Sequence, residues 1–421
     1  MNKITRIWRQ CFHEFHISYD YFWLADALCL ISEQRPPLTK RASIRFLWTT
    51  LSILHAFQYG CFVIQLIHCL KQSPVNKHQF AAIVNLMIPL AVAVVRGMCL
   101  ANQRESVLKL KRYINSKICQ RDDVRSFELR KQQYRKINRN LAAFHCVTTA
   151  NSVVWALTAG LHGDEVFKVP FQLTKEFESL QNVIDVGYAV LLIPWCFTLW
   201  YSPTQFVPIL SFFNTELRII VAQFDGLFEN VKVNYTLELN DRTEMTMAQR
   251  TRFWAELDVA FKDAISHHSS YISHFELLRK ISRLNFFVFL CSSAAIITFN
   301  IFPIIVNPSL EHLPLLLLAL QYACESYLCC SMFSSLESEN RRIAKYVYGI
   351  DWLCEERYDA ANELDRIHRK SIKQNALILH QRVNKALAVK AGDMFPLTLE
   401  TFSHMMKSVY SLLTLLLQSM D

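Results

Sequence analysis

Seven stretches of this 421-residue chain are each long and apolar enough to cross a bilayer, and that repetition restricts the fold more than any other feature. A spanning helix needs roughly 20 mostly apolar residues to cross about 30 Å of hydrocarbon, and it must satisfy its own backbone polar groups along the way. The stretches lie at about 45–70, 79–101, 139–161, 182–206, 284–306, 313–336 and 398–419. A content of 52% hydrophobic and 19% charged residues is too apolar for an ordinary soluble domain pair. The expected fold class is therefore all-α: a seven-transmembrane helical membrane protein.

Charge gives the orientation. Of the 45 Lys and Arg residues, 37 fall in 1–43, 102–139, 232–283 and 337–397, whereas 71–78, 162–180 and 307–312 hold only Lys71, Lys77, Lys168 and Lys175. Basic residues stay on the cytoplasmic side, and although long loops weigh less in this rule, the imbalance places the amino terminus inside. An odd number of crossings then puts Asp421 outside, the reverse of a G-protein-coupled receptor. The net charge of +9 thus reports orientation, and no nucleic-acid partner is expected. The apolar patch from Tyr19 to Ile31 contains Asp20 and Asp26 and lacks a small-residue cleavage site, so it reads as a short interfacial or re-entrant helix and not as a signal peptide. The acceptor Asn234-Tyr235-Thr236 falls on the cytoplasmic side, where it is inert.

The cytoplasmic pieces 102–138, 250–283 and 337–392 alternate charged and apolar residues at helical spacing. Ile343, Tyr346, Val347, Ile350, Trp352 and Leu353 form one such stripe. Periodicity persists through 206–228 and 253–284, so the fourth and fifth helices are expected to run well beyond the bilayer. Three regions follow: 1–336 with the first six spans and a ligand pocket, 337–397 as cytoplasmic anchor helices, and 398–421 as the last span.

Enzyme hardware is missing. The eight glycines are scattered singly, which excludes phosphate-cradling loops, and no zinc-binding spacing or nucleophile with an oxyanion site is present. No catalytic residue, metal or cofactor is expected. Ionisable residues inside spans are costly and mark candidate sites. Arg96, near the inner end of the second span, is expected to snorkel to the headgroups. Glu325 is too deep for that and needs a partner, a hydroxyl or a basic group on a neighbouring helix; a solute transporter would use it, with Arg96, to couple protons. Lys407 lies midway along the last span.

The outer halves of the second to sixth spans are apolar and aromatic. They present Phe80, Val84, Met87 and Ile88, then Ser152, Trp155, Ala156 and Ala159, then Tyr188, Leu191 and Trp195, then Ile297, Phe299 and Phe302, and finally Leu318 and Tyr322. A cavity lined in this way suits a small, mostly apolar ligand oriented by Ser152 or Tyr322.

The segment 394–418, MFPLTLETFSHMMKSVYSLLTLLLQ, resembles the carboxy-terminal signature of insect odorant receptors through Pro396, Leu397, Thr398, Leu399, Thr401, Phe402, Lys407, Tyr410 and Ser411. Gustatory receptors and the odorant coreceptor share a T-Y-x5-Q pattern there; counting back six from Gln418 gives Leu412 where that pattern wants tyrosine, and 232–283 lacks the coreceptor's long insertion. The chain therefore looks like a ligand-tuning subunit. The resemblance implies a ligand-gated, non-selective cation channel in the plasma membrane of olfactory sensory neuron dendrites, a heterotetramer with odorant coreceptor subunits, opened by a small volatile apolar or aromatic odorant. It also implies that the last helix lines the pore and that the cytoplasmic helices before it join the subunits. Ser411, Leu415 and Gln418 share one face of that helix, with Leu415 placed to close a pore by dewetting and Gln418 to offer its carbonyl to cations. Lys407 falls near the same face. A solute transporter or a gustatory-type receptor channel are the alternative readings.

Overall fold

The computed structural model describes residues 20–30, 32–33, 36, 41–72, 77–118, 123–162, 168–172, 174–238, 247–309, 312–348, 363–384 and 387–418. Its helices are α1 (Trp23–Cys29), α2 (Ala42–Lys71), α3 (Lys77–Asn102), α4 (Arg104–Ile118), α5 (Val124–His162), α6 (Glu178–Val190), α7 (Leu192–Leu199), α8 (Tyr201–Glu238), α9 (Met247–Val306), α10 (Leu313–Tyr348), α11 (Glu363–Val383) and α12 (Leu399–Gln418). A two-stranded antiparallel hairpin, β1 (Lys390–Ala391) and β2 (Phe395–Pro396), pairs Lys390 with Pro396 and Ala391 with Phe395 just before α12.

Five helical segments among the described residues are long and apolar enough to cross a membrane by length and composition: Ala42–Lys71, Gln79–Asn102, Glu178–Leu227, Met247–Val306 and Leu313–Val347. The expected third and seventh spans lie in α5 and α12. Both are continuous helices, but His145, Thr148, Asn151 and Ser152 in one and His404, Lys407, Ser408 and Ser411 in the other lower their apolarity. The expected extensions of the fourth and fifth helices are present, since α8 and α9 each run unbroken through the polar segments next to their spans.

The fourth span departs from expectation. Its apolar run, 182–206, is divided among α6, α7 and the start of α8. Proline supplies the reason, because it cannot donate to the carbonyl four residues back. Pro194 withdraws that bond from Val190 and Pro203 withdraws it from Leu199, and these are the last residues of α6 and α7. In α9, Pro303 likewise frees the carbonyl of Phe299, and the buried amide of Asn85 on α3 donates to it at 3.2 Å. Membrane helices tolerate proline when a neighbour answers the freed group in this way.

Two apolar cores result. The larger joins α1, α3, α4, α5, α8, α9, α10, α11 and α12, with Trp200, Phe213, Tyr271, Phe275, Phe286 and Leu336 fully buried. Ile343 and Val347 of the stripe that begins at Ile343 belong to it, while Ile350, Trp352 and Leu353 lie outside the described residues. The smaller core joins α2 and α3 to α6 and α7 through Phe62, Ile83, Leu86, Tyr188 and Leu192. Large apolar side chains such as Phe46, Ile53, Ile64, Val183 and Val186 face outward. A belt of this kind would aggregate in water and suits hydrocarbon.

Candidate functional site

Arg96 and Glu325 meet inside the bundle. The α3 guanidinium donates to the α10 carboxylate through both terminal nitrogens, at 2.5 and 3.3 Å, and its Nε donates to Asn285 Oδ1 of α9 at 3.3 Å. Asn285 returns a bond from its amide to the Arg96 carbonyl at 3.1 Å, and Ser202 of α8 donates to Asn285 Oδ1 at 2.9 Å. Phe289 lies under the guanidinium, 4.3 Å from its centre. Arg96 is only 1% exposed, which corrects the expectation that it snorkels. A paired, hydrogen-bonded charge needs no water, and the bidentate carboxylate of Glu325 on α10 removes the reason for the side chain to leave. Glu325 has thereby the basic partner its depth requires. A second buried pair joins Arg130 of α5 to Glu216 of α8 at 2.8 Å, with His267 Nε2 of α9 at 2.8 Å from the same carboxylate.

The residues expected to line a ligand pocket fall in two groups. Ile297, Leu318 and Tyr322 are buried in the larger core, with Ile88 packed against it; Tyr322 sits between Trp200 and Phe289, at ring distances of 5.4 and 6.2 Å. Tyr188 and Trp195 are buried in the smaller core, with Met87 packed against it. Trp155 touches both groups. Val84, Ala156, Leu191 and Phe302 are half-buried, and Ser152 bonds back to the Thr148 carbonyl. Phe80 and Phe299 are exposed, and the side chain of Ala159 lies outside the described residues.

One groove of about 570 Å³ lies among α2, α3 and α7, and of the expected lining residues it takes only Trp195. Its other walls include Trp48, His55, Tyr59, Val94 and Val95. Gln58, fully buried on α2, holds the neighbouring elements: it donates to the Tyr188 carbonyl at 2.9 Å and accepts from Trp195 Nε1 at 2.8 Å. Gln65, buried seven residues further along α2, donates to the Lys168 carbonyl at 2.6 Å, and this spacing of two glutamines in an apolar run is the signal the sequence reading passed over.

The last helix is two-faced. Met405 and Val409 are buried, and Phe402, Met406 and Leu413 pack beside them on the larger core. Lys407, Ser411, Leu415 and Gln418 are exposed along the other face, with Leu415 63% exposed. Their spacing of four, four and three residues makes one stripe. Lys407 therefore does share the stripe of the three expected pore residues. The hairpin anchors the start of this helix: the amide of Gly392 donates to the Arg283 carbonyl of α9 at 2.9 Å, Arg283 pairs with Asp393, and the Phe287 and Phe395 rings stack at 6.4 Å.

The profile of the 7tm Odorant receptor family matches residues 79–410. The chain belongs to the odorant receptor family. As an odorant receptor it is a seven-transmembrane, nearly all-helical membrane protein, and the carboxy-terminal signature that suggested the family spans its last helix. No curated protein sequence matches the chain. Among solved structures, the odorant receptor is similar to the insect olfactory receptor OR5 from Machilis hrabei, with a TM-score of 0.65 at 12% identity over 94% of this chain and 97% of that one. The structure of that receptor in complex with eugenol gives a TM-score of 0.67 at 12% identity, over 95% and 97% of the two chains. At this identity the likeness is one of fold.

Proposed function

We propose that this odorant receptor is the odorant-binding, ligand-tuning subunit of a non-selective cation channel, assembled with odorant coreceptor subunits as a heterotetramer in the plasma membrane of olfactory sensory neuron dendrites. The observation that carries the reading is the two-faced last helix: one side is locked into the core, and the other leaves Ser411, Leu415 and Gln418 exposed. Lining a shared pore gives that face a role. The charge asymmetry supports a cytoplasmic amino terminus and an extracellular carboxy terminus, which puts Gln418 at the outer mouth. Lys407, 11 residues back and so about 16 Å deeper, then faces a wider inner vestibule.

The ligand class is a small volatile of apolar or aromatic character. The aromatic residues of the outer halves, Trp155, Tyr188 and Tyr322 among them, support this, as does the eugenol bound by the structurally similar receptor. An odorant that packs better in the open arrangement than in the closed one shifts the population toward opening. The test is whole-cell recording during application of volatile phenols and terpenes, with the chain expressed alone and with a coreceptor. A ligand-gated cation current that requires both subunits is the expected result. A response carried by G proteins without such a conductance would overturn the reading, and substrate uptake lost on Glu325→Gln would instead support a transporter.

A further inference from the structure

The groove among α2, α3 and α7 is separate from the outer-half residues assigned to the odorant. Tyr322, Leu318 and Ile88 belong to the other core, and only Trp195 reaches both descriptions. We propose that this groove is a second ligand site, for a ring-bearing apolar molecule with a single hydroxyl that enters sideways from the bilayer.

Three features point to that chemistry. The volume of about 570 Å³ falls in the range of small-molecule sites, and the walls are rings and branched apolar side chains. The mouth lies on the lipid-facing surface: Val95 lines the groove and is 44% exposed, and Ile53 and Phe57 of α2 are exposed beside it. Ala56 and Ala91 on the facing helices leave room for a flat body between them.

The third feature specifies the polar group. His55 stacks on Trp195 with ring centroids 4.3 Å apart, and its Nε2 is buried without a hydrogen-bond partner among the described residues. Trp195 cannot supply one, because its own N–H is taken by Gln58 Oε1. A buried polar atom left unpaired is costly, and a ligand that answers it gains what the empty site forgoes. A hydroxyl both donates and accepts, so it pairs with Nε2 in either imidazole tautomer. A carboxylate or ammonium would remain uncompensated in these walls. The inner end of the groove asks for no charge either: Glu33 is paired with Arg104 at 3.1 Å, and its carbonyl accepts from Trp48 Nε1 at 2.7 Å.

The site does not depend on channel function, so it can be tested by binding alone. The full-length protein, purified into lipid nanodiscs, would be photolabelled with a diazirine analogue of a monocyclic terpene alcohol and the adducts mapped by mass spectrometry. Adducts should concentrate on 48–59 and 91–95 and be displaced by the parent alcohol. His55→Phe should weaken displacement about tenfold, the scale of one lost hydrogen bond in an apolar site, while His55→Gln retains more of it. His55→Phe should also raise the melting temperature of the ligand-free protein, because the orphaned nitrogen is gone; a purely structural histidine would give the opposite sign. Ala56→Trp, at an exposed position in the mouth, should block labelling and provides the answer if His55→Phe fails to fold. Adducts confined to other helices, labelling indifferent to both variants, or displacement by cholesterol but not by the small alcohol would each overturn the proposal.

Discussion

The guanidinium of Arg96 and the carboxylate of Glu325, separated by 229 positions in sequence, lie against each other in a buried bidentate pair with a shortest contact of 2.5 Å. Each charge is acceptable at that depth only because of the other. Glu325→Gln or Arg96→Leu should therefore destabilise the protein by about 3–5 kcal/mol, the scale for stranding one member of a buried pair, whereas replacing both by leucine should recover much of the loss. Thermal unfolding in nanodiscs checks this. Additive losses in the double variant would show that the two groups do not act as a pair.

A second prediction concerns the hairpin that starts the last helix. Gly392 has a φ of 60°, and a Cβ there would lie 2.5 Å from the Phe287 ring. Gly392→Ala meets both an unfavourable backbone and a steric conflict, and should cost about 2 kcal/mol or more. Phe287→Ala on the Gly392→Ala background should cost less than it does alone, since it removes the conflict. A double-mutant cycle by thermal unfolding measures that coupling.

Acidification should loosen α11 from α9. Burial pushes the Asp258 carboxyl up, but hydrogen bonds from Lys262, His368 and Ser371 outweigh that and hold it below its ordinary range. Lys262 and Ser371 donate at 2.8 and 2.9 Å, and the His368 ring lies at 3.2 Å. Because the folded-state value is depressed, the ionised group stabilises the contact at higher pH, and that contribution fades as pH falls below about 4 through the folded value. Hydrogen exchange across Glu363–Val383 should accelerate in that window. Asp258→Asn should make exchange faster at neutral pH and flatten its pH dependence.

The exposed stripe of α12 separates function from folding. Leu415 is 63% exposed, so Leu415→Ala should leave the melting temperature nearly unchanged. If Leu415 closes the pore, the same variant should raise current in the absence of ligand roughly tenfold, equivalent to ~1.4 kcal/mol of lost closed-state preference. Gln418→Ala should shift the relative permeability of cations without creating that leak. Recording both variants with a coreceptor decides the matter, and unchanged currents in both would remove α12 from the conduction path.

What could be read before the structure follows the range of the interactions involved. Hydrophobic run length and helical periodicity are local, and they located α2, α3, α9 and α10 and the long extension of α9. The need of Glu325 for a partner was legible from hydropathy alone. That the partner is Arg96 was not, because a pair formed across 229 positions leaves no local pattern. Pro194 and Pro203 were visible in the sequence, yet the apolar run around them concealed the breaks after Val190 and Leu199. Gln58, Asn85 and His55 were missed for a related reason: each is a single polar residue whose meaning comes from a carbonyl or cavity supplied by another helix.

Helix α9 runs for 60 residues without interruption, about 90 Å at the rise of an α-helix. Ile297, in the same core as Leu318 and Tyr322, and Phe287, gripped by the hairpin that starts α12, are separated by 10 positions on it. These two points therefore belong to one lever. A small tilt imposed near Ile297 displaces the hairpin directly and sweeps the Met247 end of α9 through a larger arc, so movement can pass along the helix without relying on any loop.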